Sequence, residues 1–110
     1  KDHGLENQIE GDLRPRQSVV ILENQVNIGV NCTKVIEAIR NNGCKVPGVV
    51  TIFDYDFAAT KRKFEKLDVT LTALTNFETV LRHAAAMDII NEEQQSIITN
   101  WQHNPAKWEK

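Results

Sequence analysis

The sequence predicts an α/β domain built on a parallel sheet, and three observations carry that prediction. The continuous apolar run Val19–Leu22 has the character of a strand buried on both faces, as inner strands of parallel sheets are, and Val49–Phe53 reads as a second apolar strand. Segments with helical periodicity follow each of them. A third run, Val69, Leu71 and Ala73 alternating with threonines, reads as a strand with one better-buried face. Strand–helix–strand–helix–strand order, with helices after it, implies right-handed crossovers in one sheet. Three strands are few for such a sheet, so an edge stays open unless a partner strand or a second copy covers it.

The elements follow in order. Residues 1–18 are polar, with Gly4, Gly11 and Pro15 as breakers, and read as a loop or hairpin leading into structure. After Val19–Leu22 come the acid Glu23 and a short turn holding Gly29. From Asn31 onward, Cys32, Val35, Ile36 and Ile39 share one helix face, and Gly43 supplies the stop. Val46-Pro47-Gly48 turns the chain into the second strand. Asp56 is placed to cap a helix over 57–67, with Phe57, Phe64 and Leu67 on its apolar side. Thr75 and Glu78 are spaced as a capping box before a helix carrying Phe77, Val80, Leu81 and Ala84. Asn91 is placed to cap a last helix with Ile97, Ile98 and Trp101 inward, and Pro105 closes it.

Composition narrows the function classes. At 110 residues, 41% hydrophobic and 25% charged, the chain is one globular domain at most. A net charge of −2 gives no general attraction to nucleic acid or to an anionic membrane. No apolar run approaches the roughly 18–20 residues of a membrane span, and no secretory leader pattern is present. Cys32 and Cys44 lack metal-site spacing and read as reduced, partly buried thiols of a cytoplasmic protein; His3, His83 and His103 are scattered. Lys61-Arg62-Lys63-Phe64-Glu65-Lys66 reads as a solvated helix face. Asp54-Tyr55-Asp56 reads as a turn with a helix cap, ahead of a ligand site at the sheet's carboxyl edge. Trp101 and Trp108 read as packing anchors.

The segment Val19–Asn31 carries the clearest chemical signal. A strand, a glycine-bearing turn and a helix start in that order bring free backbone N–H groups and the positive end of a helix dipole to one place, where a phosphate would sit. Around it stand Lys1-Asp2-His3-Gly4, Asn7-Gln8-Ile9-Glu10-Gly11, Ala38-Ile39-Arg40-Asn41-Asn42-Gly43, Gly48-Val49-Val50-Thr51-Ile52-Phe53 and the tail from Trp101 to Trp108. In these stretches, and over nearly all its length, the chain resembles the C-terminal half of a bacterial orotate phosphoribosyltransferase, of the type I phosphoribosyltransferase family.

That resemblance implies a parallel-sheet, Rossmann-like phosphoribosyltransferase fold, with 1–110 as a partial domain and 1–18 as the end of the catalytic loop and its lead-in. It implies transfer of the phosphoribosyl group from phosphoribosyl pyrophosphate (PRPP) to orotate, giving orotidine 5′-monophosphate in pyrimidine synthesis. Mg²⁺ then arrives on PRPP rather than in a protein metal site, and the protein acts as a homodimer. Lys1 and His3 match the family residues that meet the pyrophosphate. The PRPP motif, typically Glu-Asp-x-x-Ser-Thr-Gly-Gly-Ser, is altered here. Glu23 matches the first acid and Asn24 replaces the second; Asn27, Ile28, Gly29, Val30 and Asn31 occupy the Ser-Thr-Gly-Gly-Ser positions. Asn24 lacks the charge that stabilises a positive ribosyl centre, Ile28 lacks a hydroxyl donor, and Val30 adds a branched side chain.

With the only methionine at Met87 and a start inside the family's mobile loop, a fragment is expected, inactive in transfer on its own. A second reading is a non-catalytic binding or regulatory module of the same fold.

Overall fold

The computed structural model describes residues 11–107; Lys1, His3 and Trp108 lie outside them. Three strands, β1 (Ser18–Val26), β2 (Lys45–Asp54) and β3 (Thr70–Asn76), form one parallel sheet in the order β1-β2-β3. Helices α1 (Val30–Asn41) and α2 (Ala58–Lys66) are the crossovers. Helices α3 (Phe77–Ala86) and α4 (Glu92–His103) follow, with a 3₁₀ turn at Pro105–Lys107.

Strands taken in sequence order with right-handed crossovers put both helices on one face. The core sits there: Ile21, Val26, Cys32, Ile36, Ile39, Cys44, Val46, Val49, Phe64 and Val69 form one buried cluster drawn from β1, α1, β2, α2 and the entry to β3. Arg40 of α1 stitches this layer, its guanidinium donating to the carbonyls of Leu67 (2.6 Å) and Val46 (3.2 Å). Gly43, at φ 83°, takes the left-handed turn that ends α1, as its position in the sequence predicts.

The other face corrects the expectation that β1 is buried on both sides. Val20 (52% exposed), Leu22 (78%), Ile52 (55%) and Leu74 (75%) stand on it in the open. The apolar runs are inner-strand sequences, but only one face has helices over it among the described residues. Alternate side chains therefore stay in water. The radius of gyration, 17.0 Å, exceeds the roughly 13 Å of a compact domain of this length, in keeping with an incompletely covered sheet.

Several boundaries also differ from expectation. β1 runs four residues past Leu22 because its ladder to β2 continues through Glu23↔Thr51, Gln25↔Phe53 and Val26↔Asp54. Val46-Pro47-Gly48 is not a turn but part of β2. The register steps from Ser18↔Lys45 to Val20↔Gly48, so Pro47 lies at an irregularity, where a missing N–H is tolerated. The first cap of α3 is Asn76, whose side chain accepts the Thr79 N–H at 3.0 Å, rather than a Thr75–Glu78 box. Asn91 does cap α4, in a reciprocal box with Gln94.

The last two helices bury no residue fully. Ile97, expected inward, is 45% exposed, and Val80 of α3 is 48% exposed, while Trp101 is half-buried in an aromatic cluster with Tyr55, Phe57 and Phe77. Trp101 is thus the packing anchor its sequence context suggested. Among the described residues no helix is long and apolar enough to cross a membrane.

Candidate phosphate-binding site

The predicted site residues that the structure describes come together. Glu23, Asn24, Asn27, Ile28, Gly29, Val30 and Asn31 all line one open depression of about 540 Å³ at the carboxyl end of β1, with Gln25, Val26 and Cys32. Glu23 and Asn24 lie in the strand itself, half-buried and exposed respectively. Asn27 and Ile28 make the bend. Gly29 is the N-cap of α1 and Val30 its first helical residue.

The bend turns on Gly29. Its backbone sits at φ 78° and ψ 11°, in the left-handed region, which glycine enters without steric cost. A Cβ there would also lie 3.4 Å from Phe64 Cε1 and 3.4 Å from Thr60 Cγ2. The one glycine of the motif is therefore at the position that needs it. Val30 needs only helical backbone, and its side chain is 42% exposed.

Helix α1 begins without a side-chain cap and without an acidic residue in its first turn. Most helices satisfy those first N–H groups with a Ser, Thr, Asp or Asn oxygen. Here the first bond of the helix is the Thr33 N–H to the Gly29 carbonyl at 2.9 Å, with the Thr33 hydroxyl on the same oxygen at 2.7 Å. An uncapped N-terminus at the end of a parallel strand is an anion-binding arrangement, through the amides of Val30, Asn31 and Cys32 and the helix dipole.

Cys32 is buried in that first turn. Burial, and then the charge of Glu23, push its thiol up to about 11. Glu23 therefore directs its field toward the helix start, and Cys32 is an inert core thiol, as Cys44 is by its burial.

Sequence reasoning missed the residues that hold the bend. Thr60 donates its hydroxyl to the Asn27 carbonyl at 2.5 Å, and Lys63 its ammonium to the Ile28 carbonyl at 2.8 Å. Lys63 thus leaves the solvated run to which its neighbours Lys61, Arg62 and Lys66 belong. No local pattern signals a contact across more than thirty residues. The Ile28 N–H meets the Asn27 side-chain oxygen at 2.6 Å.

A second open depression, of about 520 Å³, lies beside α3 and α4 and includes Asp56, Lys61, Glu78, Arg82, Gln102 and His103. Asp56 does not cap α2, whose N-cap is Phe57 with no side-chain bond. It sits at φ 61° and accepts the Glu78 N–H at 3.1 Å, capping α3 instead, while Gln102 donates to the Tyr55 and Asp56 carbonyls.

Next to it, Asp54 is 8% exposed and its carboxyl is raised above the ordinary carboxylate range. Burial is the main cause; the Asp56 N–H bond lowers it, the Asp56 charge raises it and Lys61 lowers it. A raised carboxyl favours the protonated folded state, so this group stabilises the fold at low pH and that contribution is lost as pH rises through the raised value. Asp54→Asn, which keeps the acceptor for Asp56, should melt above the parent at neutral pH, with the gap closing as pH falls into the carboxylate range. Scanning calorimetry across that window checks it.

A parallel β-strand running into a glycine-hinged, uncapped helix start, with a carboxylate just upstream, defines an α/β protein with a strand–turn–helix suited to holding a phosphate. The comparisons narrow this. The orotate phosphoribosyltransferase of Phocaeicola vulgatus is 46% identical over 109 residues, 99% of this chain and 51% of that one. Its counterpart in Bacteroides fragilis is 43% identical over the same span. Among solved structures, the UMP synthase of Leishmania donovani superposes with a TM-score of 0.72 at 25% identity, over 84% of this chain and 21% of that one. The orotate phosphoribosyltransferase of Aeropyrum pernix gives 0.63 at 26%, over 71% and 46%. No protein-family model matches. Over nearly all its length the chain is similar to orotate phosphoribosyltransferases, and it corresponds to the C-terminal half of their fold. It spans about half the length of the curated relatives it matches.

Proposed function

We propose that this chain supplies the PRPP-binding half of an orotate phosphoribosyltransferase. The observation that carries the reading is the uncapped start of α1 behind Gly29, placed at the end of β1 with Glu23 beside it. The amides of Val30, Asn31 and Cys32 take the 5′-phosphate, and Glu23 accepts hydrogen bonds from the ribose hydroxyls. Asn24 accepts one too, without charge. Orotate, its N1 proton released to solvent, then forms a bond from N1 to C1′ of the ribose while the C1′–O bond breaks, and pyrophosphate leaves with the electron pair. Lys1 and His3, by their match to the family's catalytic loop, meet that leaving group. Mg²⁺ enters bound to PRPP as part of the substrate. Two free, buried cysteines suit a cytoplasmic setting.

Calorimetric titration of the chain with Mg²⁺–PRPP tests this. Saturable binding is expected. A flat PRPP titration of folded protein sinks the proposal.

The reading includes a homodimer, supported by the bare sheet face of Val20, Leu22, Ile52 and Leu74. Sedimentation equilibrium at micromolar concentration should give twice the chain mass, and Leu22→Glu with Ile52→Glu should return it to monomer. A clean monomer mass for the parent chain would contradict this part.

A further inference from the structure

We infer that Thr60 and Lys63 of α2 are positioning residues that turn the amides of Ile28 and Gly29 toward the ligand side of the bend. The inference rests on the phosphate-site reading above and adds two residues that the motif does not contain.

The argument starts from the planarity of the peptide unit. In a trans peptide the C=O and the following N–H point in opposite directions, so fixing one fixes the other. Thr60 holds the Asn27 carbonyl and Lys63 holds the Ile28 carbonyl, and both donors come from α2. Two consecutive carbonyls are thereby drawn to the α2 side. The N–H groups of Ile28 and Gly29 must face the other way, toward the depression lined by Glu23 and by Val30 to Cys32.

Two features make the clamp firm. Thr60 is 1% exposed, so its hydroxyl bond has no competition from water. Gly29 is packed against Thr60 and Phe64, leaving the bend no slack on the α2 side.

A further observation marks the open side as an acceptor position. The Ile28 N–H already holds an oxygen there, the Asn27 Oδ1 at 2.6 Å, on an exposed side chain. That carboxamide oxygen stands where a phosphate oxygen would bind, and rotation about χ1 of Asn27 releases the amide to a ligand.

Ribose 5-phosphate is the probe for the test, with Thr60→Val and Lys63→Met as variants and Thr60→Ser as the conservative one. The orientation is read without ligand, from backbone N–H residual dipolar couplings of Ile28 and Gly29. In Thr60→Val and Lys63→Met those couplings should change while couplings in β2 and β3 hold, and ribose 5-phosphate should bind about tenfold more weakly. Thr60→Ser should restore both. Unchanged couplings in the folded variants would overturn the inference, as would an affinity loss that Thr60→Ser fails to rescue. If the couplings move as expected but the parent chain binds no ribose 5-phosphate, the clamp stands and the phosphate-site reading fails.

Discussion

Phe64→Ala is expected to cost about 3–5 kcal/mol of folding stability, the range for removing a buried aromatic ring. Phe64 is 2% exposed and touches the core cluster that joins α2 to α1 and the sheet. Domains of this kind are stable by roughly 5–15 kcal/mol, so one ring carries a large share. The melting temperature should fall by some 15–30 °C, readable by circular dichroism. The same ring lies against Gly29. Its loss should therefore loosen the bend and weaken PRPP binding, even below the melting temperature. A change of only a few degrees would mean that the core closes over the gap, and that α2 is not the seat of the loop.

Restoring the family's groups is expected to act in the opposite direction on affinity. Asn24→Asp with Ile28→Thr and Val30→Gly should tighten PRPP binding by roughly tenfold to a few hundredfold, at about 1 kcal/mol for each recovered contact. The structure makes each change tolerable. Asn24 is exposed, so an added charge there meets little desolvation, and Ile28 is 55% exposed, so its removal empties no core. Val30 is the exception: glycine in the first turn of α1 gives up helix propensity of up to about 1 kcal/mol, which offsets part of the gain in stability terms. A folded triple variant with unchanged affinity would mean that the bend keeps only its shape.

The sheet and the bend were legible in the residues because they depend on local patterns. Apolar runs mark strands, and the i, i+3, i+4, i+7 spacing from Cys32 to Ile39 marks α1. Gly29 and Gly43 mark two of the places where the backbone turns left-handed. Caps were less legible, since Asp56, Thr75 and Asn76 are all competent cappers and tertiary packing chose between them. Burial of β1 was misread because a run of valine, isoleucine and leucine reports a strand suited to two covered faces, not that both faces are covered. The clamp was invisible. Thr60 and Lys63 reach the bend across the fold, and a threonine within a basic helix carries no mark of that contact.

The central claim is that phosphoribosyl recognition resides in the amides at the start of α1. Backbone ¹H–¹⁵N spectra of the chain, recorded as Mg²⁺–PRPP is added, test it most directly. The largest shifts should fall on Ile28 to Cys32 and on Glu23, with α3 and α4 still. Shifts centred instead on Arg82 and His103, or none at millimolar ligand, would contradict it.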